Sequence, residues 1–416
     1  MFRKYKLVTL FTLLYCSVSA QDTLKVNLKQ ADSLFLSRNY YLLAAGMNIE
    51  AQRAAEIQAA LYPNPVASAN LNMYDPENRK ILHTGNTGQK LFQIEQLIML
   101  GGKRKAEIEL AKTVTSIAEY EFQDMVRELK YRLHSGLFAV GQHLNLLNMY
   151  NSQLQLLDSL LSNTKTQVDK GNIPMKDLVR LKGAYLTLNN DRAELLKSYY
   201  EIQTELNTIL QYDGPVVHTF NEEDIQKYIS NRSFPELYEL ALDNRPDLHI
   251  ELKNREWAEQ NLIYQKKLAI PDMNVFVSYD QRSGAFNNEI NAGVSIPLPL
   301  WNKNQGNVKA ARYRIEEASL KLDGMKNRLS SEIRNSHHLY NQTVAEYQRA
   351  IRLYDHDFEV TFKGMTENFK KRNVSIVEFI DFFESYNEVL NELVRIKIQL
   401  VSSGEELNRL IGKDVY

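Results

Sequence analysis

The sequence is almost without cysteine, with one among 416 residues. That residue, Cys16, lies in an N-terminal segment with the pattern of an export signal, in which basic residues precede an apolar stretch and a group of small residues. We therefore expect residues 1–20 to be a signal peptide, removed after Ala20. The mature chain would then contain no thiol, which excludes disulfide bonds and thiolate metal ligands. Tyr15 stands where lipoprotein processing favours a small residue, so the sequence leaves the lipidation of Cys16 open.

The chain also lacks an excess of either charge and any long apolar run after the signal. Its 50 Lys and Arg against 51 Asp and Glu give a formal net charge of -1. Because nucleic-acid binding usually requires a basic excess, we expect no nucleic-acid partner. A transmembrane helix needs about 18 consecutive apolar residues, and the mature chain contains no such run. Any passage through a membrane would have to be made by strands.

Motifs for catalysis are missing as well. The sequence contains neither the Gly-x-Ser-x-Gly turn of hydrolases nor the Gly-rich string of nucleotide-binding loops. None of the eight histidines is paired with another at the helical spacing of four that metal binding favours. We therefore expect no enzymatic activity, no cofactor and no metal site.

Proline is confined to a few places, which permits very long helices elsewhere. All ten prolines lie outside the stretches 77–173 and 300–416. Proline breaks helix interiors, so its absence predicts long helices in both stretches. An unbroken helix from Lys103 to Val168 would reach about 100 Å, and the stretch from Asn304 to Lys370 allows much the same length. Helices of this length are typical of a bundle, a filament or a tube.

Between the helical stretches lie short segments, at about 64–98 and 271–299, in which apolar and polar residues alternate. Examples are Phe92 and Ile94 in the first segment and Val275 and Val277 in the second. Alternation over about ten residues is typical of a transmembrane β-strand, and a soluble hairpin gives the same pattern, so both interpretations stay open. Four strands are too few to close a barrel, which needs about eight. A barrel would therefore require several chains.

The two halves of the chain resemble each other. A unit from about Leu61 to Leu210 recurs from about Ala269 to Ile411, displaced by roughly 200 residues. In both copies apolar residues follow one another at steps of three and four, which is typical of a coiled-coil seam. The steps begin at Leu178, Leu181, Tyr185 and Leu188 in the first copy and at Phe379, Phe382, Tyr386 and Val389 in the second. We expect repeat one at about 21–212, a polar connector at about 213–234 and repeat two at about 235–416.

Several strings at the junctions of the expected elements carry a family resemblance. They are Tyr62-Pro-Asn-Pro65, Leu100-Gly-Gly-Lys-Arg-Lys105, Asn244-Arg-Pro-Asp-Leu248, Ile296-Pro-Leu-Pro-Leu-Trp-Asn-Lys-Asn-Gln-Gly-Asn-Val308 and Ile376-Val-Glu-Phe-Ile-Asp381. With these strings the chain resembles the outer-membrane efflux proteins (TolC-like), in particular the branch paired with heavy-metal efflux pumps. The resemblance covers essentially the whole mature chain.

The resemblance implies a mainly α fold with a small β part. Long antiparallel helical hairpins would form a trimeric α-barrel that extends into the periplasm. Four strands per chain would contribute to a shared 12-stranded transmembrane β-barrel in the outer membrane. A homotrimer of this kind accounts for both the missing strands and the unusual helix length.

The same resemblance implies a function and partners. The chain would be the outer-membrane exit channel of a tripartite efflux system, passively conducting metal cations or small toxic compounds. Its partners would be a periplasmic adaptor protein and an inner-membrane efflux pump of the resistance-nodulation-division type. Two alternatives stay open: an export duct for secreted protein or polysaccharide, and a periplasmic coiled-coil scaffold without membrane strands. The sequence does not identify the substrate, the pump or the adaptor.

The resemblance places the two helix tips, at about 169–177 and 370–378, at the periplasmic mouth of the tube. There the carboxylates of a trimer would form rings that attract cations and pair with nearby bases. The gate candidates are Glu378, Asp381, Asp177, Arg180 and Arg372. An exposed acidic helix start, favoured by the helix dipole, is the alternative interpretation of Glu378 and Asp381.

The tip turns themselves are the expected docking sites for the adaptor. Both halves carry related turns, so a trimer would present six similar sites. The docking candidates are Gly171, Asn172, Pro174, Asn373 and Ser375.

Overall fold

A computed structural model describes residues 22–218, 223–282, 285–354 and 356–416. The expected signal peptide and Cys16 lie outside the described residues. The helices are α1 (Leu28–Arg38), α2 (Tyr40–Ala60), α3 (Lys103–Asp169), α4 (Met175–Leu210), α5 (Glu223–Gln226), α6 (Phe234–Asn244), α7 (Pro246–Leu268), α8 (Gln305–Leu353), α9 (His356–Lys370) and α10 (Ile376–Ile411). The strands are β1 (Leu24–Val26), β2 (Val66–Leu71), β3 (Tyr74–Asp75), β4 (Lys80–Ile81), β5 (Gln89–Ile98), β6 (Val216–His218), β7 (Met273–Arg282) and β8 (Phe286–Ser295).

The chain divides into two compact units, each built from separated segments. The first unit contains the described part of Met1–Leu43 with Met125–Arg245 and Ser330–Tyr416. The second unit contains Ala44–Asp124 and Pro246–Leu329. Both halves of the sequence therefore contribute to each unit.

The long helices predicted from the missing prolines are present, with one interruption. Helix α3 runs without a break over 67 residues. The corresponding stretch of the second half is instead divided into α8, which ends at Leu353, and α9, which begins at His356. Within the described ranges, no helix is both long and apolar enough to cross a membrane.

The helices that lead into the strands are also divided, each into a short and a long piece. Asn39 separates α1 from α2, because its Oδ1 accepts hydrogen bonds from the backbone of Tyr41 and Leu42 at 3.0 and 3.1 Å and so starts a new helix. Arg245 separates α6 from α7, since a residue before proline is disfavoured in helical conformation.

The second unit contains a four-stranded antiparallel sheet of order β2-β5-β7-β8. Its register brings the alternating residues of all four strands into common rows, and in the central rows apolar and polar residues lie on opposite faces. Written from β2 to β8, two apolar rows are Ala67-Ile94-Val277-Ala292 and Ala69-Phe92-Tyr279-Ile290, and the polar row between them is Ser68-Gln93-Ser278-Asn291. The alternation predicted from the sequence is therefore a property of the whole sheet.

The strand boundaries differ from the prediction in two places. The expected second strand segment extends to 299, whereas β8 ends at Ser295. Pro297 and Pro299 lack the backbone N–H that a ladder requires, so the alternation of the apolar residues around them does not continue the strand. The first segment also contains a small hairpin, β3–β4, between β2 and β5. The parallel pair β1–β6, by which the connector joins the N-terminal strand, was not predicted.

The core of the first unit is a seam between the long helices. Its buried residues are Leu146, Tyr150, Leu154, Leu157 and Leu160 of α3, Leu181 and Leu188 of α4, and Ile376, Phe379, Phe383, Tyr386 and Leu390 of α10. Four of these positions were predicted from the steps of three and four: Leu181, Leu188, Phe379 and Tyr386. Phe382 and Val389 were also predicted in the seam but are only half-buried, while their neighbours Phe383 and Leu390 are buried. Each fully buried ring or Leu contributes about 1.5–3 kcal/mol relative to an exposed one.

A buried polar cluster joins several elements of the first unit. His134 of α3 lies between two carboxylates: its Nε2 is 2.8 Å from Oδ1 of Asp32, and its Nδ1 is 3.3 Å from Oε2 of Glu405. Tyr228 of the connector donates a hydrogen bond to Glu405. Burial disfavours protonation of the imidazole, but the two carboxylates outweigh it and raise the pKa of His134 to about 9. The same contacts outweigh burial at Glu405 and lower the pKa of that carboxyl.

We predict that this cluster makes the folded chain less stable as the pH rises into the alkaline range. The pKa of His134 is raised from 6.5 to about 9 in the folded chain, so its stabilisation is complete below pH 6.5 and is lost as the pH rises through about 9. A shift of this size corresponds to about 3 kcal/mol, so His134→Gln should lower the midpoint of thermal unfolding at neutral pH and flatten its pH dependence. The control is His338→Gln, which removes an exposed histidine. The same dependence of the unfolding midpoint on pH in wild type and His134→Gln would contradict a raised pKa of His134.

Candidate functional site at the helix tips

The two helix tips close with the same backbone turn. At the first tip Gly171 is left-handed, with φ of 76°, and at the second Arg372 is left-handed, with φ of 64°. The next backbone N–H, of Asn172 or Asn373, donates to the carbonyl five residues earlier at 2.9 Å in both cases. This is the Schellman ending of a helix, which satisfies carbonyls that the last turn leaves free. A side chain is strained in this conformation, so Arg372 is held there at a cost that Gly171 avoids.

The two tip asparagines also stabilise their turns through their side chains. Nδ2 of Asn172 donates to Oε1 of Gln167 at 2.9 Å, and Nδ2 of Asn373 donates to Oδ1 of Asn368 at 3.4 Å. Both asparagines are exposed. They therefore keep a solvent-facing surface while fixing the conformation of the turn.

The helices that leave the tips begin in different ways. Ser375 caps α10 through a capping box, in which Oε2 of Glu378 accepts from the backbone N and Oγ of Ser375 at 2.9 and 2.7 Å. These hydrogen bonds, the side-chain bond first, lower the pKa of the Glu378 carboxyl. At the start of α4, Pro174 occupies the cap position without a side-chain hydrogen bond, and Asp177 lies in the first turn.

Four of the predicted tip residues line one open cavity of about 560 Å³: Asn172, Pro174, Asp177 and Arg372. The other lining residues are Leu160, Asn163, Thr164, Thr166, Gln167, Ile173, Phe369, Lys370, Val374 and Ile376. Both tips of one chain therefore form a common concave surface, which is lined by polar side chains and by apolar ones such as Phe369 and Ile376.

The remaining predicted gate residues lie apart from this cavity. Arg180 and Asp381 are exposed on α4 and α10, and in the described part of the chain neither forms an ion pair. Glu378 is engaged by the capping box, as expected for an acidic helix start. The nearby base Lys370 pairs with Glu367 at 2.9 Å rather than with a predicted gate carboxylate. Within one chain the expected acid–base pairs are therefore absent among the described residues, and pairing between chains stays a prediction.

Sequence reasoning missed a stack of aromatic rings directly behind the second tip. Phe369 and Phe379 stack with centroids 4.4 Å apart, and Phe362 stacks on Tyr386 at 4.2 Å. Their spacing on α9 and α10 was visible in the sequence, but only α10 was interpreted as part of a seam. These rings pack α9 against α10 next to the turn at Arg372, and each aromatic pair contributes about 0.5–1.5 kcal/mol beyond the apolar area it buries.

The described residues contain no group of three or more His, Cys, Asp or Glu side chains that could hold a metal ion. The chemistry that the tips offer is therefore that of exposed charges, amides and a concave surface.

Comparison with known proteins gives relatives that are outer-membrane or resistance proteins. No family model matches the chain. The cobalt-zinc-cadmium resistance protein CzcC of Cupriavidus metallidurans is 20% identical over 389 residues, which covers 93% of this chain and 90% of the relative.

The solved structures share the fold at lower identity. The CmeC outer membrane channel of Campylobacter jejuni superposes with a TM-score of 0.75 at 14% identity and covers 93% of this chain and 85% of its own. CusC, studied for its folding and transmembrane channel formation, superposes with a TM-score of 0.74 at 15% identity. The match covers 95% of this chain and 96% of the CusC chain. These similarities confirm the resemblance drawn from the motifs and show that the chain has the fold of these channels.

Proposed function

We propose that this TolC-like outer-membrane protein is the exit channel of a tripartite efflux system, passively conducting substrates that an inner-membrane pump delivers through a periplasmic adaptor. The observation that supports it most is the fold, in which one chain combines long helical hairpins with a short amphipathic sheet. The apolar sheet face argues against a periplasmic coiled-coil scaffold, since such a scaffold would have no reason to expose Ile94 and Val294, at 62% and 64%.

The functional form is a homotrimer with a shared 12-stranded barrel. Strands β2 and β8 are the two edges of the sheet, and in the described chain each has a neighbour on one side only. Unpaired backbone groups are costly in a bilayer, so an open four-stranded sheet cannot stand there alone. Pairing β8 of one chain with β2 of the next satisfies both edges, and three chains supply enough strands to close a barrel.

The first test concerns membrane insertion. Val294→Arg places a charge on the apolar face of β8 and should cost about 2–4 kcal/mol near the membrane midplane. Membrane-inserted trimer should fall, measured by fractionation and by mass in detergent. Asn291→Arg is the matched control, because Asn291 is an exposed residue of the polar face on the same strand. A stable, membrane-inserted monomer of the wild type would rule out the shared barrel.

The adaptor docks at the helix tips. The two turns have the same backbone geometry and expose Asn172 and Asn373. The cavity that both tips line offers apolar as well as polar side chains. A trimer presents six such turns, which suits a partner that contacts both halves in a similar way. The relative CzcC is a cobalt-zinc-cadmium resistance protein, so metal cations are the first substrates to examine, with a resistance-nodulation-division pump as energy source.

The second test therefore places bulk at the tips. Asn172→Trp with Asn373→Trp should abolish resistance to Co²⁺, Zn²⁺ and Cd²⁺ in cells that depend on this chain and its partners, while trimer assembly stays normal. Asn172→Ala with Asn373→Ala is the control, since it removes the side-chain hydrogen bonds of the turns without adding bulk. Full resistance in the assembled Trp variant would exclude docking at these tips.

The periplasmic mouth is gated by charged residues of the tips. Glu378 and Asp381 are both exposed near the start of α10, and in a trimer each would occur three times. Carboxylates around a narrow opening dominate its local potential. Their partners would be bases of a neighbouring chain, with Arg180 and Arg372 the candidates on the same tips.

The third test neutralises these carboxylates. Glu378→Gln with Asp381→Asn should raise single-channel conductance in planar bilayers and weaken cation preference. Gln keeps an acceptor for the capping box with Ser375, so a change in conductance would not reflect a lost helix cap. Glu239→Gln, at an exposed position of α6, is the control. Wild-type conductance and selectivity in the double variant would reduce Glu378 and Asp381 to an ordinary acidic helix start.

A further inference from the structure

The loop between β8 and α8, in the second unit, contains a solvent-exposed tryptophan. Trp301 is 86% exposed, although the loop around it is fixed by hydrogen bonds. Nδ2 of Asn304 donates to the backbone O and to Oε1 of Gln265 at 2.7 and 2.9 Å. Oδ1 of Asn302 accepts from the backbone of Asn304 at 3.0 Å, and Nε2 of Gln305 donates to the carbonyl of Trp301 at 3.2 Å. The exposure of Trp301 is therefore imposed by an ordered loop.

Beside this loop three basic side chains face solvent. Lys303, Lys309 and Arg312 line an open cavity of about 550 Å³ together with Tyr313, and the one acidic lining residue is Glu316. All three basic residues are exposed, and in the part of the chain that the structure describes none of them forms an ion pair. Lys309 and Arg312 are three residues apart and so share one face of α8. The surface is therefore positively charged and unneutralised.

The corresponding junction of the first half uses its basic residues differently. Lys103 is only 4% exposed and pairs with Asp272 at 2.7 Å. The guanidinium of Arg104 lies 3.8 Å from the ring centre of Tyr62 and donates to the carbonyl of Ala60 at 2.7 Å. These two side chains stabilise the junction itself. Among the described residues, the basic side chains of the second junction make no comparable ion pair or ring contact, which leaves them available to a ligand.

We infer that Trp301, Lys303, Lys309 and Arg312 form a binding surface for the phosphate groups of anionic phospholipids at the periplasmic side of the membrane. The inference rests on the proposed function, because the loop after β8 lies at head-group level only if the sheet spans the outer membrane. Tryptophan favours the membrane–water interface, and Lys and Arg near a membrane surface attract anionic lipids.

Two further features favour a lipid as the occupant. The apolar sheet face continues without a gap into the loop, since Val294, Ile296 and Leu298 are exposed at 64%, 44% and 74%. Basic groups follow directly after this apolar path. Apolar residues followed by a cationic rim match the order of acyl chains and phosphates across one leaflet, which a soluble anion would not require.

The test uses Trp301 as its own reporter. The chain has two tryptophans, so Trp257→Phe leaves Trp301 as the only one. This assembled protein is reconstituted into vesicles of phosphatidylcholine with either brominated phosphatidylglycerol or brominated phosphatidylcholine, and quenching of its fluorescence is measured. We expect stronger quenching by the anionic lipid. We expect that preference to fall on the order of tenfold in the triple variant Lys303→Gln, Lys309→Gln, Arg312→Gln. High salt should also reduce the preference of the protein that keeps these three basic residues.

A matched control removes the same charge elsewhere. Lys326→Gln, Arg349→Gln and Lys363→Gln neutralise three exposed basic residues of α8 and α9 and should leave the preference unchanged. Equal quenching by both lipids before any change at the surface would overturn the inference while leaving membrane insertion intact. Quenching by neither lipid would overturn the inference and the proposed function together. A third outcome would be that the parent protein shows no preference for the anionic lipid and that the triple variant no longer forms the trimer. This would show that a second copy of the chain covers this surface, which also overturns the inference.

Discussion

The hydrogen-bonding capacity left at the two edges of the four-stranded sheet is the constraint on which the rest of the molecule depends. Strands β2 and β8 each present backbone donors and acceptors that no neighbouring strand of the described chain satisfies, next to a face that is apolar in its central rows. Water can satisfy such edges, but lipid cannot. Under the proposed function, a chain with this sheet needs copies of itself before it can occupy a membrane, and assembly becomes a condition of function.

Helix packing in the first unit holds two exposed turns in defined positions. Rows of Leu and aromatic rings form the seam, and the stacked pair Phe369 and Phe379 brings that seam up to the second tip. The tips themselves carry polar side chains that are exposed yet hydrogen-bonded, such as Asn172 and Asn373. Rigid support beneath an exposed polar surface is the arrangement that partner recognition requires.

Prediction from the sequence succeeded where a pattern extends over many residues. The missing prolines identified α3 almost to its last residue, and alternation identified the faces of all four strands, because both signals repeat at every turn or pleat. It failed at single positions: the strand did not continue past Ser295, and Phe383 rather than Phe382 is buried. One residue shifts a side chain by about 100° on a helix, so a seam predicted from spacing alone is uncertain by one position.

By itself the sequence determined the element types, the amphipathic faces and the positions of the two tips, because these follow from local periodicity and from proline and glycine placement. Only the tertiary structure decided which distant groups meet. It brought His134 between Asp32 and Glu405, joined Asp177 and Arg372 in one cavity, and left Trp301 exposed beside three unpaired basic side chains. The contacts of His134 and the cavity at the tips connect residues about a hundred or more positions apart. No local pattern records them, since their geometry is set by how the helices pack.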